Sequence, residues 1–72
     1  MTATTTRERV RRYIVVNESD RIVATCGGTH RMMERICARL DARHGGFYSY
    51  DDASEASRYL PQVGPNLALN AR

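Results

Sequence analysis

Cysteine and histidine are the residue types in this 72-residue sequence best suited to catalysis or metal binding, and there are two of each. Cys26, His30, Cys37 and His44 raise the question of a zinc site. His30 and Cys37 lie seven positions apart, as do Cys37 and His44, and on a helix this separation is about 10 Å along the axis. One Zn²⁺ holds its ligands within about 2.3 Å. We therefore expect no bound metal and no other cofactor.

Cys26 and His30 form the one pair that could act as nucleophile and base. Cys26 precedes a predicted helix amino terminus, a position that activates thiols. No third residue that would orient the base is apparent, although nucleophilic sites generally contain one. A small side chain filling a gap at a strand end is the simpler interpretation. We expect no catalytic residue and no enzymatic activity, and an enzyme using Cys26 and His30 is the alternative.

Two strands are predicted in this region, and Cys26 ends the second of them. Residues 12–17 and 21–26 are rich in β-branched and aromatic side chains, and the short polar turn between them favours an antiparallel hairpin. Period-two alternation places Ile14 and Val16 on one face of the first strand, with Tyr13 and Val15 on the other. Both faces are apolar, so the pattern does not indicate which of them a helix covers.

A break at Gly27-Gly28 and a helix over residues 30–44 are predicted next. Thr29 is a favourable N-cap, and Gly45 with Gly46 suits a left-handed helix end. Apolar side chains recur at i, i+3, i+4 and i+7 and form one buried stripe. The stripe consists of Met33, Ile36, Cys37 and Leu40.

The remaining sequence predicts a third strand, a short helix and a tail. Residues 47–50 are aromatic and predict a strand. Asp51 or Asp52 is expected to cap a short second helix that Pro61 ends. Residues from 62 onward form either an edge strand or a loose tail.

This order predicts an α+β fold. A three-stranded antiparallel sheet in β-β-α-β order carries one main amphipathic helix on a face, followed by the short helix and an extended tail. The length allows one domain, residues 1–72, which we divide into a loose arm (1–9), a compact core (10–60) and a tail or edge strand (61–72). So short a chain has a thin core, and homodimerisation is an open alternative that would support it.

Four arginines recur at every fourth position of the predicted helix: Arg31, Arg35, Arg39 and Arg43. They fall at about 0°, 40°, 80° and 120° around the axis, while the apolar stripe is centred at about 190°. The acids of the helix, Glu34 and Asp41, lie at about 300° and 280°. This arginine face therefore carries four like charges and no acid, at a cost of a few tenths of a kcal/mol per neighbouring pair. Such penalties are tolerated at functional surfaces, and a merely solvated face is the alternative.

An acidic, tyrosine-rich segment follows the helix and supplies further candidate binding residues: Tyr48, Tyr50, Asp51 and Asp52. Arginine and tyrosine dominate protein-binding hot spots. The net charge of +3 is modest for a nucleic-acid binder, and the tyrosines lie near acids instead of beside the basic stripe, where bases could stack. We expect an acidic protein surface or a nucleoprotein complex as the partner. A small DNA- or RNA-binding regulator, with the arginine face on phosphates, is the alternative.

Composition bounds the cellular setting. No apolar run approaches membrane-spanning length, and residues 1–6 are too polar for a secretory leader. We therefore expect no membrane partner, reduced thiols and a cytoplasmic location, in a bacterium or a phage-infected host cell. All eleven basic residues are arginine, which a GC-rich genome would explain without any function.

The size and build are similar to those of small accessory proteins of phages and mobile elements, of which anti-CRISPR proteins are one group. The similarity is one of build and rests on no motif. It implies a non-enzymatic inhibitor that binds and occludes a host protein or ribonucleoprotein.

Overall fold

β-branched and aromatic side chains form the central strand of a small sheet. The computed structural model describes residues 9–67. Strands β1 (Arg11–Val16), β2 (Ile22–Gly28) and β3 (Ser49–Asp52) are antiparallel and lie in the order β2-β1-β3. Helix α1 (His30–His44) connects β2 to β3, and a 3₁₀ helix (Ala53–Arg58) follows. The predicted α+β fold in β-β-α-β order is confirmed.

Each face of β1 is covered by a different element. Tyr13 and Val15 pack in one cluster with the buried stripe of α1. Ile14 and Val16, together with Ile22 of β2, form a second cluster on the opposite face. Ala53, Ala56 and Tyr59, from the 3₁₀ helix and the residue after it, pack on that second cluster. Both faces of the central strand are apolar because both are buried.

A β-bulge in the β1–β2 hairpin adds one apolar side chain to the α1 side of the sheet. Val15 pairs with Ala24 and Val16 pairs with Ile22, so Val23 is the extra residue of β2. A bulge of this kind disrupts the alternation of side chains along the strand. Val23 packs, half-buried, against the cluster beneath α1.

Helix α1 has the predicted bounds and the predicted caps. The hydroxyl oxygen of Thr29 accepts a hydrogen bond from the Met32 backbone N–H at 3.2 Å. Gly45 has a φ of 71°, and its N–H donates to the Asp41 carbonyl. This left-handed conformation is readily adopted by glycine and strained for most other residues. The predicted stripe of four residues is buried.

Strand β2 extends further than predicted, which corrects the expected break at Gly27-Gly28. Gly27 pairs with Arg12, and Gly28 pairs with Arg11. Ladder hydrogen bonds use the backbone alone, so a residue without a side chain can take part in them. A Cβ added to Gly28 would lie 2.9 Å from Sδ of Met32, and the glycine therefore leaves room for the Met32 side chain.

Strand β3 begins two residues later than predicted, at Ser49 instead of Phe47. The reason is a contact that periodicity does not reveal: the Tyr48 N–H donates to Oδ1 of Asp41 at 2.7 Å and ties this loop to α1. Pairing with β1 starts at Ser49 opposite Val16. The strand also ends later than predicted, because Asp51 pairs with Ile14 and Asp52 pairs with Tyr13.

The short second helix is a 3₁₀ helix. Asp52 caps it, as predicted, by accepting from the Ser54 N–H at 2.9 Å. It ends at Arg58, ahead of Pro61, because Tyr59 turns to an extended conformation.

Residues 60–67 run beside the outer edge of β2, which is the edge that does not pair with β1, and contain no strand. The Ile22 N–H donates to the Leu60 carbonyl at 2.9 Å, and the Leu67 N–H donates to Val23 at 3.1 Å. The prediction of a tail or edge strand thus resolves, for the described part, into an irregular segment bonded to that edge. Residues 68–72 lie outside the described part, as does the predicted loose arm with the exception of Arg9.

Candidate binding surfaces

The arginine face forms the outward side of α1. Arg31, Arg35, Arg39 and Arg43 are all exposed, and the opposite side of the helix is buried against the sheet. Arg31 and Arg39 each have an intramolecular interaction partner. Within residues 9–67, no hydrogen bond or ion pair involves the guanidinium group of Arg35 or Arg43. The face therefore offers two guanidinium groups that the described fold does not use.

The two flanks of α1 differ in charge. Met32, which falls between Arg39 and Arg43 around the axis, lies against Gly28 and so marks the flank next to β2. Asp41 is bonded to the backbone of Tyr48 just before β3 and marks the other flank. Arg39 and Arg43 therefore lie on the same side of α1 as Met32, toward β2, whereas Asp41 lies toward β3.

Tyr48 and Tyr50 pack against the cluster beneath α1 and are half-buried. The ring of Tyr50 meets that of Tyr13 edge-on, with centroids 5.5 Å apart and planes at 87°, an arrangement that aromatic pairs favour. Burial, followed by the nearby Glu34 carboxylate, raises the pKa of Tyr50. These contacts give both tyrosines a role in packing.

Asp51 and Asp52 point to opposite faces of the sheet, since they are consecutive in β3. Oδ2 of Asp51 accepts a 2.7 Å hydrogen bond from the Tyr59 hydroxyl on the side of the 3₁₀ helix. Asp52 lies 3.5 Å from a guanidinium nitrogen of Arg11. The Ser54 backbone N–H, with smaller contributions from the Ser54 hydroxyl and Arg11, lowers the pKa of Asp52. The four acidic and aromatic candidates thus do not form one continuous surface.

Cys26, Cys37 and His44 lie in different surroundings. Cys37 is buried in the cluster beneath α1, and burial together with the Asp41 carboxylate raises its pKa to about 11. Cys26 is half-buried, and its thiol donates to the Gly27 carbonyl at 3.4 Å. His44 lies beside Tyr48, with ring centroids 6.0 Å apart. Over the described residues, no three of the His, Cys, Asp and Glu side chains are grouped as a metal site would require.

Sequence reasoning missed one concave feature, an open cleft at the carboxyl end of α1. The β1–β2 turn contributes Asn17, Glu18 and Ser19, and the segment 44–48 contributes the other wall. Phe47 lines this cleft and is 77% exposed. Its assignment to a strand in the sequence-based prediction concealed the site. The adjacent Gly45 and Gly46 were the sequence signal that could have placed Phe47 in a loop.

Two observations concern the wider context of the chain. No helix in the described part is both long and apolar enough to cross a membrane. In comparisons with known proteins, no family model, no curated protein and no solved structure matches this chain.

Proposed function

We propose that this protein is a non-catalytic binding module that docks the arginine face of α1 on an acidic protein or nucleoprotein surface. The proposal rests on the exposure of Arg35 and Arg43 and on their lack of partners in the described structure. Both are exposed, and neither guanidinium group is bound by a residue in the range 9–67. Arginine binds carboxylates and phosphates through paired N–H donors, so these two groups are available for such contacts.

The spacing of the two arginines suits an extended partner surface. Eight residues of helix separate their Cα atoms by about 12 Å along the axis. Met32 is 44% exposed and lies on the same side of the helix, adding an adaptable apolar contact of the kind that binding surfaces often use. A partner that presents carboxylates around a small apolar site would complement this arrangement.

The positions of the other basic residues favour a protein or nucleoprotein partner over free nucleic acid. Arg11 is paired with Asp52. Arg12 points to the face of the sheet opposite α1, since it alternates with Tyr13. Tyr48 and Tyr50 lie on the acidic flank of the helix and are partly buried. Within residues 9–67, the arginine face is therefore not extended by these groups into a basic track with stacking platforms, which single-strand binders combine.

Inhibition by occlusion is the mode of action we propose for such a module. What supports it is the build: a short α+β chain that carries an exposed arginine face on its main helix. A small rigid protein that covers a working surface of a larger host protein or ribonucleoprotein needs no chemistry of its own. Accessory proteins of phages and mobile elements, including anti-CRISPR proteins, have a similar build, and we propose that this chain belongs to that functional class.

Paired charge removal tests the docking surface. The test variant is Arg35→Gln with Arg43→Gln. The control is Arg12→Gln with Arg58→Gln, which removes two exposed charges outside α1, one from β1 and one from the 3₁₀ helix, where Arg58 pairs with Glu55. Tagged proteins would capture partners from bacterial lysate, and binding would be quantified with the partner so identified. We expect the test variant to lose at least about tenfold in affinity, or about 1.4 kcal/mol, while the control retains binding.

Two outcomes would contradict the proposal. Equal retention of the partner by the test variant would make the arginine face a solvated surface. Alternatively, tight binding of random-sequence DNA or RNA, with a log–log salt slope of about −0.7 to −0.9 per phosphate contacted, would identify a nucleic-acid binder. Measuring anisotropy with labelled duplex and single strands between about 50 and 200 mM salt distinguishes these cases.

A further inference from the structure

The cleft at the carboxyl end of α1 combines two segments that are distant in sequence, residues 17–19 and 44–48. It has a volume of about 250 Å³ and is open to solvent. Its walls are the β1–β2 turn at residues 17–19, the end of α1 at 44–46, and the loop residues Phe47 and Tyr48. The volume is below the range of about 300–1,000 Å³ typical of drug-sized ligands. A single side-chain group therefore fits it better than a large cofactor.

The charge of the cleft is negative although the chain as a whole is positive. Glu18 supplies the carboxylate of its wall, and within residues 9–67 that carboxylate makes no hydrogen bond or ion pair. The carboxyl end of a helix carries about half a negative charge from its aligned peptide dipoles. None of the eleven arginines lines the cleft, and its one basic side chain is the imidazole of His44. The local field therefore favours a cation.

The walls also present aromatic rings. Phe47 is 77% exposed, so most of its ring is available for contact. Tyr48 lies beside His44 with a 55° angle between the ring planes. Aromatic faces attract organic cations within about 6 Å, and the planar guanidinium group in particular stacks on such rings.

We propose that this cleft binds the guanidinium group of an arginine residue. The Glu18 carboxylate accepts its N–H groups, and the Phe47 ring covers its apolar plane. This site is distinct from the arginine face and does not depend on the function proposed for it. A partner bound at both places would present acidic groups to the side of α1 and a basic group to its carboxyl end.

Titration with capped amino acids tests the site without altering the protein. Amide signals of ¹⁵N-labelled protein would be followed while N-acetyl-arginine amide is added to about 20 mM, a range suited to millimolar dissociation constants. We expect saturable shifts at residues 17–19 and 44–48. N-acetyl-citrulline amide, the uncharged near-isostere, should produce none of them, and N-acetyl-lysine amide should bind more weakly.

Protein variants then assign the two contacts. Glu18→Gln should weaken binding about two- to fivefold, as expected for an exposed ion pair, and Phe47→Ala should weaken it by a similar factor. Glu34→Gln is the matched control because Glu34 is an exposed acid in the first half of α1, away from the cleft. It should leave the affinity unchanged.

The source of the guanidinium group is distinguished by a second ligand. A capped Gly-Gly-Arg-Gly-Gly peptide should bind at least as tightly as N-acetyl-arginine amide, whereas much weaker binding of the peptide would show that the cleft admits only a small free guanidinium compound and would overturn the assignment to an arginine within a polypeptide. Equal shifts with citrulline, equal affinity for lysine, or no shifts with arginine would overturn the proposal. None of these results would affect the test of Arg35 and Arg43, since those residues lie outside the cleft.

Discussion

The Tyr59 hydroxyl donates a 2.7 Å hydrogen bond to Oδ2 of Asp51 and thereby joins the end of the 3₁₀ helix to strand β3. Tyr59 also packs on the cluster of Ile14, Val16 and Ile22. This bond holds the small layer that covers the second face of the sheet. The other face of the sheet is covered by α1.

The first prediction concerns this bond at alkaline pH. The Tyr59 hydroxyl donates this bond to the Asp51 carboxylate, which raises the pKa of Tyr59. The protonated hydroxyl is therefore favoured in the folded state. The stabilisation is fully present below the unfolded-state pKa of about 10 and is lost as the pH rises through the higher folded value. Tyr59→Phe should lower the midpoint of urea unfolding at pH 7 and reduce the loss of stability above pH ~10. An unchanged alkaline profile would contradict the assignment.

The second prediction concerns acid. The Ser54 N–H and Arg11 lower the pKa of Asp52. A lowered pKa contributes stability above the unfolded value of about 3.9, and this contribution is lost as the pH falls through the folded value. Asp52→Asn keeps a cap acceptor but removes the charge. The free energy of unfolding, measured in urea, should therefore fall less steeply at acid pH in this variant. Glu18→Gln is the matched control, and its free energy of unfolding should depend on acid pH as that of the unmodified protein does.

The third prediction concerns the turn between β1 and β2. Asp20 has a φ of 60°, the one positive value at a non-glycine residue in the described part. Such a conformation costs a residue with a Cβ about 1–2 kcal/mol. Asp20→Gly should therefore be more stable than Asp20→Ala by about 1 kcal/mol in urea unfolding. The same pair of substitutions at Ser19, where φ is not positive, should show the opposite order because glycine is more flexible when unfolded.

The fourth prediction concerns the core. Leu40 is almost completely buried beneath α1, and removing such a side chain generally costs about 2–5 kcal/mol. In a domain of this size, Leu40→Ala should leave little or no cooperative transition in thermal unfolding followed by circular dichroism. Leu60→Ala removes the same atoms from a side chain that is 48% exposed and should retain the transition. Similar behaviour of the two variants would contradict the description of the core.

The fifth prediction separates the two cysteines. Burial and Asp41 raise the pKa of Cys37 to about 11, so at pH 8 it is almost entirely in the unreactive thiol form. Iodoacetamide should modify Cys26 in the folded protein and leave Cys37 intact, as peptide mass spectrometry would determine. Both should react in urea. Rapid modification of Cys37 in the folded state would show that α1 opens readily from the sheet.

Local signals predicted the helix well. Thr29, the four-residue apolar stripe and Gly45 act within one element, and the structure places α1 between the bounds that they indicate. The strands were predicted less accurately because their ends depend on partners. Gly27 and Gly28 belong to β2 only because β1 lies opposite, and Phe47 is outside β3 because Asp41 holds the next residue's N–H.

The candidate sites also combine features that local sequence predicted with features that depend on distant residues. Helical spacing alone placed the four arginines on one exposed side, but the partners of Arg31 and Arg39 could not be predicted from it. Tyr50 and Asp51 are adjacent in sequence, yet β-pleating directs them to opposite faces. The cleft formed by Glu18 and Phe47 joins residues that no local pattern relates.

The sequence by itself determined the order of elements, the buried side of α1 and its arginine face, because each depends on periodicity and capping over a few neighbouring residues. Only the tertiary structure decided that Tyr13 and Val15 face α1 while Ile14 and Val16 face the 3₁₀ helix. Both pairs are apolar, so burial energy does not distinguish them within the strand. The choice depends on how distant segments pack on the sheet, which is a property of the whole chain.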